Sequence, residues 1–266
     1  MGADTPIIAK IERLSAVEDI EEIAKEADGL MVARGDLGVE GSVERVPKFQ
    51  RKIVDAAHKY AKPVIIATQM LESMIHNPQA SLAEVTDVAN AVLEGADCVM
   101  LSAEVAAGQY PVACVQKMAS IINRVEDWHL KKTPRYTTLP SHSEKWDIHE
   151  AIARSACEAA DTLNARAIVC LTLTGSIARL IANWRPKTPI LAISPRIDVV
   201  KRLGFTWGVY GLINPLFYNT DVLLHDLPEL LKTLRIARSG DFIVITAGIP
   251  LKTMCATNMI KINQIA

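Results

Sequence analysis

Short apolar runs alternate with amphipathic stretches from residue 7 to about residue 127. The runs Pro6–Ile11, Gly29–Ala33, Pro63–Ala67 and Asp97–Leu101 are too short for globular helices, and turn or polar residues bound them, so they predict strands. The intervening stretches carry helical spacing. Ser15 and Glu18 fit a capping box ahead of Ile20, Ile23, Ala24 and Ala27. Three more faces follow: Val46, Phe49, Ile53, Ala56 and Tyr60; Leu82, Val85, Ala89 and Val92; and Val112, Val115, Ala119, Ile122 and Val125. Four strand-then-helix units in series imply a parallel sheet, either open or part of a barrel, with ligands gathering at the carboxyl ends of its strands.

The pattern lapses around residues 131–146 and then resumes. Three segments are therefore expected: a first domain over 1–133, a linker over 134–146 and a second α/β domain over 147–266. In the second domain, helices are predicted at Ile148–Asn164, Ile177–Trp184 and Asp198–Leu203, with a longer one through Leu223, Leu227, Leu230, Leu231 and Leu234. Strands are predicted at Ala167–Leu171, Ile190–Ile193, Gly208–Gly211, Phe242–Thr246 and Met259–Ile262, the last two forming an antiparallel pair.

Composition narrows the function classes. The chain has 266 residues, with 29 Lys and Arg against 30 Asp and Glu. Such a balance argues against a broad nucleic-acid surface. No apolar stretch approaches the roughly 18 to 20 residues needed to cross a bilayer, and no signal-peptide core precedes Lys10, so a cytoplasmic protein without a membrane partner is expected. Cys98, Cys114, Cys157, Cys170 and Cys255 lack zinc spacing and read as reduced thiols. His58, His76 and His129 fit helix-surface or loop positions and receive no catalytic role.

Charge concentrates at the strand ends. Lys10 and Glu12 lie two positions apart and share one face of their strand. If that face is buried they need partners, and a structural ion pair and a ligand site both satisfy the need. Arg34 and Asp36 flank Gly35 at the next strand end, where glycine permits close backbone approach to an anion. Two carboxylates on adjacent strand ends suit magnesium or manganese, and Lys10 could hold a phosphoryl group beside the metal. Thr68 ends the third strand as a hydroxyl donor or a turn residue, and Glu104 stands near the end of the fourth as a supporting or salt-bridging carboxylate.

The same residues carry a family resemblance. The segments Ile8–Glu12, Met31–Glu40, Ile66–Met74, Asp87–Val92 and Gly95–Ser102 resemble pyruvate kinase, strongly to about residue 127 and more loosely beyond. The resemblance implies an α/β fold class: a partial TIM barrel of four parallel βα units followed by a three-layer-like α/β domain. It is the resemblance of a C-terminal portion, in which the N-terminal half barrel and lid domain are absent. The implied reaction is phosphoryl transfer from phosphoenolpyruvate to ADP in glycolysis. Lys10 and Thr68 would be catalytic. Gly35, Asp36, Thr68 and Arg34 would bind substrate, and Glu12 and Asp36 would hold magnesium or manganese. Potassium is expected from the family, with its ligands outside this chain. Thr172, Thr174, Gly175 and Ser176 resemble an effector loop for a sugar phosphate, although a turn and helix cap fits the same pattern. The expected partners are phosphoenolpyruvate, ADP and either further copies of the chain or a chain completing the barrel. The other readings are a truncated noncatalytic assembly partner or remnant, and a barrel enzyme that stabilises an enolate with magnesium and needs no ADP.

Overall fold

The computed structural model describes residues 5–132, 148–214, 220–249 and 256–266, leaving aside the side chains of 130–132 and 220–223. The expected linker at 134–146, Cys255 and the Leu223 side chain lie outside the described residues. The chain divides into two compact units, Met1–Lys132 and Thr133–Ala266.

The first unit runs β1 (Ile8–Ile11), α1 (Leu14–Glu18), α2 (Ile20–Glu26), β2 (Gly29–Ala33), α3 (Arg34–Gly41), α4 (Val46–Lys59), β3 (Val64–Ala67), α5 (Leu82–Glu94), β4 (Cys98–Met100), α6 (Ala103–Ala106) and α7 (Pro111–Lys132). Its four strands are all parallel and lie in chain order, β1-β2-β3-β4. Leu30, Val32, Val64 and Ile66 are fully buried in the two inner strands, and the core continues through Ile53, Val54, Val88 and Ala91 of α4 and α5. Burial on both faces is why these strands read as unbroken apolar runs rather than alternating ones.

Several helix details differ from the pattern. The capping box expected at Ser15 and Glu18 does not form, because α1 already begins at Leu14. The Leu14 amide donates instead to Glu40 Oε2 at 2.8 Å, a cap delivered from α3 across 26 residues. The unit's capping box is at Ser81 and Glu84, opening α5, which closes on Gly95 in the left-handed conformation (φ 102°). The buried faces of two helices are also rotated from expectation. In α5 the inward residues are Val88 and Ala91, while Leu82 is 81% exposed. In α7 they are Cys114, Met118 and Ile121, while Val112 and Val115 point outward. Each helix is rich enough in Ala and Val to offer two apolar stripes, and packing on the sheet chooses between them. His58, read as a surface residue, is buried, with Nε2 2.8 Å from the Gly95 carbonyl.

The second unit runs α8 (Ile148–Thr162), β5 (Ala167–Leu171), α9 (Ser176–Asn183), β6 (Ile190–Ser194), α10 (Ile197–Leu203), β7 (Val209–Ile213), α11 (Thr220–Thr233), β8 (Phe242–Ala247) and β9 (Met259–Gln264). The sheet order is β7-β6-β5-β8-β9; all pairs are parallel except β8 with β9, which is antiparallel as the pattern predicts. Central β5 and β6 are buried at every position, with separate apolar layers on the two faces of the sheet. Among these layers Cys157 and Cys170 are fully buried thiols, and loss of solvation pushes the Cys170 thiol up to about 12 and the Cys157 thiol higher still. Both are therefore inert at neutral pH.

Candidate active site

Parallel pairing in register sets β1 beside β2, with Ile11 opposite Val32. The residues just beyond those strands, Glu12 and the first turn of α3, therefore emerge at the same end of the sheet. Lys10 reaches both carboxylates: its Nζ donates to Glu12 Oε2 and, at 3.0 Å, to Asp36 Oδ2. The hydrogen bond to Glu12 first, and that to Asp36 second, raise the ammonium above its ordinary value of 10.5, so it stays charged through neutral pH. All three side chains are about half exposed, because β1 is an edge strand of this sheet. The premise that burial forces Lys10 and Glu12 to find partners is therefore corrected, and mutual attraction at an open strand end holds the cluster together.

Gly35 lies in the first turn of α3, a helix that the hydrophobic pattern does not predict. Three glycines in eight residues give little intrinsic helix preference. Packing supplies the reason for one of them: a Cβ on Gly41 would stand 2.9 Å from Leu14 Cδ2 and 3.0 Å from Phe49 Cε2. The helix begins directly at the strand end, so the positive end of its dipole lies at the end of the sheet where the cluster stands, an arrangement that favours anions. The Gly35 amide donates to Thr68 Oγ1 at 3.2 Å, and that hydroxyl donates in turn to the Ala67 carbonyl at 2.7 Å.

Thr68 and Gln69 both adopt left-handed backbone conformations, with φ of 67° and 55°. For non-glycine residues each costs about 1 to 3 kcal/mol and persists only where surroundings enforce it. Arg34, only 7% exposed, provides that enforcement. Its Nε and Nη2 donate to the Thr68 carbonyl at 3.2 and 2.6 Å, and Nη2 donates also to the Gln69 carbonyl at 3.0 Å. Its Nη1 bridges both oxygens of Asp87, at 2.8 and 2.6 Å. Five donor hydrogens thus meet four protein oxygens, the Thr68 carbonyl accepting two of them. Asp87 has no short-range sequence signal tying it to Arg34; the only hint is an acidic residue on α5 next to buried Val88. Glu104 is likewise buried, and its oxygens accept the amides of Leu71 and Ser102, joining the segments that follow β3 and β4.

In the second unit the residues of the expected effector loop stand together after β5. The buried Thr172 hydroxyl accepts the Gly175 amide at 2.9 Å and the Thr174 amide at 3.4 Å, while Thr174 Oγ1 accepts the Ser176 amide at 3.3 Å and donates to Ser176 Oγ. Gly175, with φ of 80°, leads into α9. Among the described residues no helix is long and apolar enough to cross a membrane, and no three His, Cys, Asp or Glu side chains gather as a metal cage.

Fold and site together define an α/β protein with a cationic and carboxylate cluster at the ends of parallel strands. Residues 1–115 match the family described as "Pyruvate kinase, barrel domain" and residues 150–263 match "Pyruvate kinase, alpha/beta domain". Pyruvate kinase 2 of Synechocystis sp. is 42% identical over 99% of this chain and 44% of its own length, and pyruvate kinase of Clostridium acetobutylicum is 38% identical over 99% and 55%. A crystal structure of pyruvate kinase from Cryptosporidium parvum superposes with a TM-score of 0.90 at 37% identity, covering 98% of this chain and 52% of that one. A structure of the Cryptosporidium parvum enzyme in complex with ADP gives 0.86 at 36% identity, covering 100% and 53%. The chain belongs to the pyruvate kinase family, and it spans about half the length of the curated relatives it matches.

These matches correct the reading of a C-terminal portion whose barrel is merely a truncated set of four βα units. Both domains of the family are represented, the barrel domain from the first residue onward and the α/β domain nearly to the last. The fold class is accordingly the family's barrel domain plus its α/β domain, with β1 to β4 the strands described in the first. The absence of a half barrel and lid was implied by the resemblance, and likeness of the segments present carries no information about what lies outside them.

Proposed function

We propose that this chain transfers the phosphoryl group of phosphoenolpyruvate to ADP, giving pyruvate and ATP. The observation that carries the reading is the Lys10 ammonium held between Glu12 and Asp36 at two adjacent strand ends, beside the first turn of α3 and the Thr68 hydroxyl. In the transfer, the bond between phosphorus and the enol oxygen breaks and an oxygen of the ADP β-phosphate takes its place. Negative charge spreads over the phosphoryl oxygens as this happens, and a fixed ammonium stabilises it without reorganisation. The enolate left behind gains a proton at its methylene carbon, drawn from solvent, and the relay of that proton is the role proposed for the Thr68 hydroxyl. The Asp36 amide at the start of α3 suits the substrate carboxylate, with the Gly35 amide beside it holding the Thr68 hydroxyl.

The donor set fits magnesium or manganese. Glu12 and Asp36 offer hard carboxylate oxygens already converging on one cation, and such an ion completes its shell with water and substrate oxygens rather than with a protein cage. When bound, the metal would supply positive charge to the phosphoryl and enolate oxygens. Potassium is expected at the level of the family. A homo-oligomer in the cytoplasm is the assembly and location that accompany this reading. Division of the chain into a barrel domain over 1–133, a linker over 134–146 and an α/β domain over 147–266 belongs to it as well.

The test is pyruvate formation from phosphoenolpyruvate with magnesium and potassium, with ADP first withheld and then supplied. Turnover that begins on adding ADP, with ATP formed in equal amount, is the expected result. Pyruvate appearing without ADP would identify an enolate-stabilising enzyme of another class, and no pyruvate under either condition would sink the proposal.

A further inference from the structure

The Thr68–Gln69 turn is gripped at two points by two consecutive residues. The Arg34 side chain holds the Thr68 and Gln69 carbonyls, and the neighbouring Gly35 amide holds the Thr68 hydroxyl. Thr is β-branched, so a left-handed conformation there is especially unfavourable without such support. Arg34 in turn is oriented by Asp87, whose two oxygens bind the same guanidinium nitrogen from α5. With every donor engaged by the protein, the guanidinium has none left to offer a substrate, although it lies one residue from Gly35 and two from Asp36.

We infer that Arg34 and Asp87 form a positioning pair for the reaction, fixing the Thr68 turn in its left-handed shape and so setting the Thr68 hydroxyl at the Gly35 amide. The pair touches neither substrate nor metal and acts through Thr68. This inference rests on the proposed role of Thr68 in proton relay. Arg34 cannot be exchanged for lysine in this role, because one ammonium does not reproduce a planar fork spanning two carbonyls and a carboxylate. Asp87→Asn keeps the shape of the partner and removes its charge.

The test has two arms. The first follows exchange of pyruvate methyl protons with deuterium oxide in the presence of magnesium, which isolates the proton step from phosphoryl transfer. Arg34→Lys and Asp87→Asn are expected to slow it roughly tenfold to a hundredfold, in line with the cost of a misplaced group, with little change in KM for pyruvate. The second arm needs no activity: solution NMR of the wild-type and variant chains reads the Thr68 backbone coupling constant, the Gly35 amide shift and its protection from exchange. Both variants are expected to lose the left-handed signature at Thr68 and the protection at Gly35. Folding is checked in each by circular dichroism. A folded variant that keeps the wild-type Thr68 and Gly35 signals overturns the pair, as does one exchanging pyruvate protons within twofold of wild type. A wild-type chain inert in the first arm counts against the proposed function, and the NMR arm then decides the positioning pair by itself.

Discussion

The carboxyl ends of the parallel strands in the two sheets occupy the same topological position and are built in opposite ways. At the end of the first sheet, Lys10, Glu12 and Asp36 are half exposed and satisfy one another, so a ligand can compete for each of them. At the end of β5 in the second, the polar groups of Thr172, Thr174, Gly175 and Ser176 close on one another through their hydroxyls and amides. Charge exposed at a strand end is available for chemistry, whereas a buried hydroxyl turned back on its own backbone chiefly ends the strand and starts the next helix. Within the first sheet the contrast repeats on a smaller scale: the open cluster is backed by the buried, fully engaged Arg34.

The largest effect that separates the two regions is expected from Lys10→Met. Pyruvate formation should fall about a hundredfold to a thousandfold, as when a preorganised transition-state donor is removed, while the urea midpoint barely moves because the side chain is exposed. A comparable loss of stability with activity intact would break the comparison. Thr172→Val should do the reverse. It leaves the Gly175 amide without its hydroxyl acceptor, lowering stability by about 1 to 2 kcal/mol in urea titration, with turnover unchanged.

A smaller effect is expected away from both strand ends, at Glu84. Burial pulls its carboxyl up, but hydrogen bonds from Ser73 and Ser81 outweigh that pull and leave it below its ordinary value of 4.5. The stability it contributes is therefore fully present above about pH 4.5 and is lost as pH falls through the lower folded value. Glu84→Gln should cost about 1 kcal/mol at neutral pH, and the gap between variant and wild type in urea midpoint should close as the solution is acidified. A gap that widens in acid would reverse the assigned sign.

Much of this was legible in the chain. Gly29–Ala33 and Ala167–Leu171 are strands over the residues the pattern predicts, since a parallel strand buried on both faces must be a short apolar run. Lys10 and Glu12 could be paired from spacing alone, because a strand repeats every two residues. The helices were less legible. Glycine-rich α3 is held by its contacts with Leu14 and Phe49, α1 is capped by Glu40 from a distant segment, and α5 and α7 could present either of two apolar stripes.

Local pattern by itself determined which segments become strands, that two α/β units follow one another, and that carboxylates and a lysine stand at neighbouring strand ends. Only the tertiary structure decided that the Lys10 ammonium is shared by Glu12 and Asp36, that Arg34 faces inward to hold Thr68, and that Asp87 completes the hold from 53 residues away. The reason is physical. Periodicity is set by the backbone geometry of one element, whereas a charge-assisted contact depends on where separate elements come to rest, and that is settled when the apolar faces pack.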